Sequence, residues 1–222
     1  MGAFNNTPLR LIYIHGFISS PQSAKARLLL KAMSEVGREH EYATPQLPLD
    51  PEQAIKQLEA FIEANQQQNT PKIGLVGSSL GGYYAIWLAN KYNLKAILVN
   101  PSVRPYDSLK AYLGEIENIY TGEKYIFEEN HIEVLKSYEV KALNKPENFY
   151  LMVQTGDEVL DYRQALEKFN LSDTGVIVES EDSVDSGGGV ESIKYEVQKG
   201  GSHGFDKFEN KVPEILQFLG IK

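Results

Sequence analysis

The residues Gly77-Ser78-Ser79-Leu80-Gly81 carry the clearest capacity for chemistry in this sequence. They fit the pattern G-x-S-x-G, which forms a sharp turn between a strand and a helix and exposes the serine hydroxyl above a sheet. An apolar run precedes them and a helical pattern follows, as this turn requires. Ser79 is therefore the predicted nucleophile, whereas the side chain of Ser78 should point elsewhere. By themselves these residues also suit a turn that only packs tightly or binds phosphate.

A serine hydroxyl is a weak nucleophile and needs a base, for which the chain offers four histidines. In folds that use this turn, the partners follow in the order serine, acid, histidine. His203 follows the last predicted strand and is flanked by small residues, so it is the predicted base. His131 lies in an irregular stretch and is interpreted as a solvated or capping residue. His15 follows the first strand and is interpreted as a structural residue that holds its loop by a hydrogen bond.

The base needs a carboxylate that fixes its tautomer and stabilises the imidazolium. Asp157 comes directly after a buried strand and a glycine, where this acid is expected, so it is the predicted partner of His203. Asp161 is the alternative, although it is also well placed to cap the helix that follows. Glu158 is expected to face solvent.

Attack on an ester creates an oxyanion that two backbone N–H groups usually bind. The N–H of Leu80, directly after the nucleophile, is one predicted donor. The second is the N–H of Phe17, which follows the first strand in the segment His15-Gly16-Phe17. An ordinary His-Gly turn is the alternative for this segment.

Short apolar runs alternate with amphipathic helical patterns, which predicts an α/β fold with a mostly parallel sheet flanked by helices. One domain is expected over residues 1–222, with a helical insert or cap at about 104–146 and a flexible loop at about 181–190. The first helix is expected to begin near Pro21, with Ser20 as its cap. The predicted strands are 11–14, 41–44, 72–76, 95–99, 149–153, 176–180 and 192–198. A second helix is predicted to begin at Asp50-Pro51. Further helices are predicted at 80–92, at 161–169 and over the last residues of the chain.

The charge balance excludes several classes of partner. Lys+Arg number 22 against 30 Asp+Glu, giving a net charge of −8, and this acidic balance disfavours nucleic acid and anionic lipid. The chain has no cysteine, which excludes disulfides, thiol catalysis and cysteine-based zinc sites. The first ten residues lack the apolar core of a signal peptide, and no apolar run approaches the roughly 20 residues that span a membrane. A cytoplasmic protein without membrane insertion is expected.

Several longer stretches are more specific than the five-residue motif, and through them the chain resembles the YqiA-type esterases, a group of small bacterial α/β-hydrolases. The sequence departs from that pattern between Asp173 and Ser192, where it carries extra residues. The stretches are YIHGF at 13–17, SSPQSAKA at 19–26, PQLP at 45–48, GLVGSSLGGYYA at 74–85, VNPSVRP at 99–105, QTGDEVLDYRQA at 154–165 and GGSH at 200–203.

This resemblance implies an α/β-hydrolase fold and cleavage of small acyl esters, including acyl-CoA thioesters, with Ser79, Asp157 and His203 as the triad. No metal or organic cofactor is required by such chemistry. An acyl-CoA thioesterase, another α/β-hydrolase reaction such as C–C bond hydrolysis, and a non-catalytic binding module are the alternatives. Phe17, Tyr83 and Tyr84 could line an acyl pocket or pack in the core.

Overall fold

A seven-stranded sheet forms the centre of the protein in the computed structural model, which describes residues 8–66, 72–118, 120–172, 177–178 and 192–222. The strand order is β2-β1-β3-β4-β7-β9-β8 and every pairing within this sheet is parallel. The strands of this sheet are β1 (Leu11–Ile14), β2 (Tyr42–Ala43), β3 (Gly74–Ser79), β4 (Lys95–Pro101), β7 (Phe149–Gln154), β8 (Ile177–Val178) and β9 (Lys194–Gln198).

Helices cover both faces of this sheet. They are α1 (Ala24–Glu35), α2 (Pro51–Asn65), α3 (Leu80–Tyr92), α4 (Pro105–Ser108), α5 (Glu129–Ser137), α6 (Tyr162–Lys168) and α7 (Val212–Leu219). Within the described ranges, no helix is long and apolar enough to cross a membrane.

The apolar core lies in two layers, one on each face of the sheet. Consecutive strand residues point to opposite faces, so Leu75 packs in one layer and Val76 in the other. The layer with Leu75 includes buried residues of α2, α3, α5 and α6, and the layer with Val76 includes those of α1 and α7. Central strands buried on both faces carry near-continuous apolar runs, which explains why the sequence pattern predicted a parallel sheet.

Helix α1 begins three residues later than predicted. Ser23, rather than Ser20, is its cap, and the Ser23 hydroxyl accepts a hydrogen bond from the N–H of Ala26 at 3.4 Å. The hydroxyl of Ser20 instead accepts from the N–H of Gln22 at 3.1 Å, which uses Ser20 in a turn before the helix. Serine satisfies nearby N–H groups in turns as well as at caps, so this sequence suits either arrangement.

The sequence predicted a helical insert between β4 and β7, but this insert is not helical throughout. Besides α4 and α5 it contains an antiparallel hairpin, formed by β5 (Gly114–Glu117) and β6 (Lys124–Phe127). In β5 the buried Ile116 lies between exposed glutamates, which is the period of a strand. Asn118 favours the turn, because its side-chain oxygen accepts from the N–H groups of Tyr120 and Thr121. The predicted flexible loop at 181–190 lies outside the described residues.

The carboxyl ends of parallel strands meet at one edge of the sheet. His15 follows β1, Ser79 ends β3, Asp157 follows β7 and His203 follows β9. The topology therefore gathers at one edge the residues that the sequence singles out.

Candidate active site

Ser79 occupies a sharp turn between β3 and α3. It is the last residue of β3 and the cap of α3, with φ 55° and ψ −124°, a conformation that non-glycine residues rarely adopt. Strand β3 continues to Ser79, beyond the predicted end of the strand at residue 76. A Cβ added to Gly81 would lie 2.0 Å from the carbonyl oxygen of Ile14, so only glycine allows α3 to pack this closely against β1. This is the backbone geometry that exposes a nucleophilic serine.

Ser79, His203 and Asp157 lie in hydrogen-bonding contact, although Ser79 and His203 are 124 positions apart in the chain. Nε2 of His203 is 3.1 Å from Oγ of Ser79, and Nδ1 of His203 is 2.9 Å from Oδ2 of Asp157. The side chain of Asp157 is 2% exposed and that of His203 is 23% exposed. The acid is thus enclosed, while the imidazole reaches from it to the hydroxyl.

The surroundings of Asp157 favour its charged form. Burial alone would raise the pKa of this carboxyl, but hydrogen bonds from His203 and from the N–H groups of Leu160 and Val159 outweigh burial and lower the pKa. A carboxylate at this position accepts from Nδ1–H, which leaves Nε2 free to accept the proton of Ser79.

The other candidates of the sequence lie apart from this arrangement. Asp161 caps α6, where its carboxylate accepts from the N–H of Arg163 at 3.0 Å. His131 is buried rather than solvated, and its Nδ1 caps α5 by accepting from the N–H of Glu128 at 2.8 Å. Ser78 is also buried, and its hydroxyl contacts the hydroxyl of Tyr13.

His15 holds the loop after β1. Its Nε2 accepts from the N–H of Leu47 at 3.3 Å, and its Nδ1 lies 3.0 Å from the carbonyl oxygen of Gly16. Burial lowers the pKa of His15, which favours the neutral ring that this pattern requires.

The backbone after β1 borders the nucleophile. A Cβ added to Gly16 would lie 3.1 Å from Cβ and 3.5 Å from Oγ of Ser79, so this glycine packs directly against the serine. Phe17 is next in the chain and lines a cleft that also includes Ser79 and Leu80. Leu80 is the first residue of α3, and the first N–H groups of a helix have no acceptor within the helix. Phe17 and Leu80 therefore border the serine, and the role of their N–H groups as oxyanion donors stays a prediction.

This cleft has a volume of about 360 Å³ and is largely apolar. Among the described residues that line it there is no carboxylate and no lysine or arginine. Tyr83 and Tyr84 do not line it, because both are buried in the core, where the hydroxyl of Tyr83 donates to the carbonyl of Leu135 at 2.6 Å. The cleft residues are Phe17, Ile18, Ser79, Leu80, Ser102, Pro105, Ser108, Leu109, Tyr112, Val159, Leu160 and His203.

Two charged residues at the site were missed by sequence reasoning. Glu158 is exposed, as expected, and its Oε2 also accepts from the backbone N–H of His203 at 3.0 Å. Nζ of Lys25 donates to the carbonyl of Gly204 at 2.7 Å. Burial lowers the pKa of Lys25 to about 8, against the opposing attraction of Asp157. Both residues belong to stretches that carry the family resemblance, which was the available signal. Within the described residues, no three His, Asp or Glu side chains are grouped to hold a metal ion.

Similar folds occur among solved structures at low sequence identity. Est1E from Butyrivibrio proteoclasticus, solved with ferulic acid, gives a TM-score of 0.65 at 14% identity, over 97% of this chain and 90% of that chain. Mouse α/β-hydrolase domain-containing protein 10 gives a TM-score of 0.65 at 15% identity, over 95% of this chain and 89% of that chain. The esterase Pf2001 from Pyrococcus furiosus gives a TM-score of 0.61 at 14% identity, over 96% of this chain and 82% of that chain. The protein therefore has an α/β-hydrolase fold, as the sequence predicted.

Sequence relatives place the chain in a family. A UPF0227 protein of Vibrio vulnificus strain CMCP6 is 29% identical over 115 residues, a stretch that spans 50% of this chain and 62% of that relative. The model of the uncharacterised protein family UPF0227 matches residues 10–186, which include Ser79 and Asp157. This confirms the resemblance noted in the sequence: the chain belongs to UPF0227, the YqiA family.

Proposed function

We propose that this protein is a serine hydrolase that cleaves carboxylic esters of small acyl groups through an acyl-enzyme on Ser79. The observation that carries the proposal is the continuous path from Asp157 through His203 to Ser79, with distances of 2.9 Å and 3.1 Å. Nucleophile, base and orienting acid in this order are the elements of covalent acyl transfer.

In the acylation step, Nε2 of His203 takes the proton from Oγ of Ser79 as the oxygen attacks the carbonyl carbon. The carbonyl oxygen becomes an oxyanion that accepts hydrogen bonds from the N–H groups of Phe17 and Leu80. Asp157 stabilises the imidazolium that forms. His203 then gives its proton to the departing alcohol, and the acyl group remains on Ser79.

In the deacylation step, water takes the place of the alcohol. His203 removes a proton from this water, and the hydroxide attacks the acyl carbon. The same N–H groups bind the second oxyanion, and His203 returns the proton to Oγ of Ser79 as the carboxylic acid leaves. The ester and water are the only reactants, and the alcohol and the carboxylic acid are the only products. The cycle therefore balances without a cofactor.

The lining of the cleft supports an uncharged, apolar acyl group. Among the described residues that line the cleft, no carboxylate, lysine or arginine side chain is available to pair with a charged acyl group. Burial of such a charge without a partner is unfavourable, whereas apolar contact with Phe17, Leu109 and Tyr112 is favourable. The similar fold of Pf2001, which is named an esterase, is consistent with this substrate class.

The proposal is tested with a fluorophosphonate probe and with p-nitrophenyl butyrate. The probe should label Ser79 in the wild-type protein, and Ser79→Ala should lose labelling and lower kcat by roughly 10⁶-fold. Ser78→Ala is the matched control, since Ser78 is adjacent but buried beside Tyr13, and it should retain most of the activity.

Equal turnover by the wild type and Ser79→Ala would refute the proposal. An unchanged protein mass after exposure to the probe would favour the non-catalytic binding module. A parallel assay with butyryl-CoA compares oxygen esters with thioesters, and faster turnover of the thioester would replace the proposed substrate class by the thioesterase alternative.

A further inference from the structure

The carboxamide side chains of two buried residues, Asn100 and Gln154, hold the backbone around His203. Nδ2 of Asn100 donates to the carbonyl of Ser202 at 2.9 Å and to that of His203 at 3.3 Å. Oε1 of Gln154 accepts from the N–H of Ser202 at 3.1 Å. These contacts link the segment that carries the imidazole to two central strands of the sheet.

Asn100 lies near the carboxyl end of β4 and is 3% exposed. Its φ of 39° is in the left-handed region, which costs energy in most side-chain-bearing residues but is more accessible to asparagine. While Nδ2 donates to the loop, Oδ1 accepts from the N–H of Gln154 at 2.9 Å. One carboxamide thus joins β4, β7 and the histidine loop, using its donor and its acceptor at the same time.

Gln154 is the last residue of β7 and is also 3% exposed. Its Oε1 accepts a second bond from the N–H of Asp206 at 2.8 Å, and its Nε2 donates to the carbonyl of Asp206 at 2.9 Å. A Cβ added to Gly201 would lie 2.0 Å from Oε1 of Gln154, so glycine is required where the loop crosses this amide. Gln154 therefore contacts the loop on both sides of His203.

We infer that Asn100 and Gln154 are positioning residues, which set the height and direction of the His203 ring over Ser79. The inference rests on the proposed function, in which that ring is the base. The segment 202–204 belongs to no helix or strand, so side chains satisfy backbone groups that a regular element would have satisfied. A carboxamide is needed at both positions, because a carboxylate of the same shape accepts but cannot donate.

Asn100→Asp is the direct test, because it keeps the size and the acceptor but removes the donor. A carboxylate would then face the carbonyls of Ser202 and His203, and the loop should move away. Since misplacement of a catalytic group by about 1 Å can cost roughly 100-fold in rate, kcat for p-nitrophenyl butyrate should fall by about that factor with little change in KM. Asn148→Asp is the control: it removes a donor to Asn93 at the opposite end of β7 and should leave kcat unchanged.

Gln154→Glu is the second variant, in case Asn100→Asp does not fold. It keeps the acceptor for the N–H groups of Ser202 and Asp206 but loses the donor toward the carbonyl of Asp206 and toward Oε1 of Gln198. Neither lost contact involves Ser202 or His203, so kcat should fall less than in Asn100→Asp, again without a change in KM. Circular dichroism and unfolding midpoints show whether each variant is folded. A folded Asn100→Asp with wild-type kcat, or a loss that appears only in KM, would overturn the inference.

A spectroscopic measurement separates this inference from the proposed function. With ring-labelled histidine, the four histidines give few NMR signals, and His203→Gln identifies that of His203. In Asn100→Asp this signal should move toward the position of an unfolded histidine, while that of His15 stays. Movement of the signal in a protein that hydrolyses no ester would retain the positioning role and reject the esterase. An unmoved signal would reject the positioning role, whatever the activity.

Discussion

Glu158 accepts a hydrogen bond from the backbone N–H of His203 at 3.0 Å, next to Asp157, which binds the ring of the same histidine at 2.9 Å. Two consecutive acids thus hold one residue, one by its ring and the other by its backbone. Their exposure differs, since the side chain of Asp157 is 2% exposed whereas Glu158 is an exposed residue. The two contacts should therefore differ greatly in their effect on the reaction.

Glu158→Ala should lower kcat by a small factor. The lost hydrogen bond lies in solvent, and a net loss of about 1 kcal/mol corresponds to roughly 5-fold in rate. Glu158→Gln keeps an oxygen that can accept from His203, so it should restore activity close to the wild type. Glu35→Ala, which removes an exposed glutamate from α1, is the control. The comparison uses kcat for p-nitrophenyl butyrate, and equal losses in the Ala and Gln variants would show that charge, not the hydrogen bond, matters.

Asp157→Asn should lower kcat by roughly 10⁴-fold, because the amide no longer fixes the tautomer of His203 or stabilises its charged form. Asp161→Asn is the matched control, an identical substitution four residues further along. Asparagine also caps helices, so Asp161→Asn should retain activity and most of its stability. Steady-state kinetics of both variants decide the assignment, and the reverse ranking would identify Asp161 as the acid.

Lys25 should make stability depend on pH above neutrality. Its pKa is about 8 in the folded protein because burial disfavours the charge, whereas an unfolded lysine titrates near about 10.4. Between these values the unfolded state binds more protons, so the free energy of unfolding should rise with pH for the wild type relative to Lys25→Met. Urea unfolding at about pH 7 and about pH 9.5 measures this difference.

Lys31→Met removes an exposed lysine from the same helix and serves as the control for loss of charge. The prediction would be contradicted if the free energy of unfolding differed between the wild type and Lys25→Met by the same amount at both pH values.

Leu109→Trp should shorten the acyl group that the protein accepts. Leu109 is largely buried and lines the cleft beside Ser79, so a larger ring there would fill part of the space. kcat/KM for p-nitrophenyl octanoate should fall by roughly 10-fold, with little change for the acetate. Leu113→Trp adds the same ring at an exposed position outside the cleft, and should leave both values unchanged. Equal losses on both esters would argue against acyl binding at Leu109.

Strong local patterns allowed much of the fold to be predicted. The bounds of β1 and α3 agree with the expectation, because an apolar run and a helical pattern on either side of a glycine-rich turn are local signals. The hairpin of β5 and β6 was missed because its strands are short and lie between helices. The start of α1 was displaced because Ser20 and Ser23 are both competent caps, and only the packing of the helix selects between them.

The sequence by itself determined the order of the candidates and the sharp turn that exposes Ser79, since both depend on neighbouring residues. Only the tertiary structure decided that Asp157 rather than Asp161 meets His203, that Tyr83 and Tyr84 belong to the core, and that Asn100 and Gln154 hold the histidine loop. These outcomes depend on contacts between residues far apart in the chain, such as Asn100 and Ser202, which are 102 positions apart. Spacing along a sequence fixes local conformation, but a hydrogen bond across a sheet edge exists only once the strands have been assembled in register.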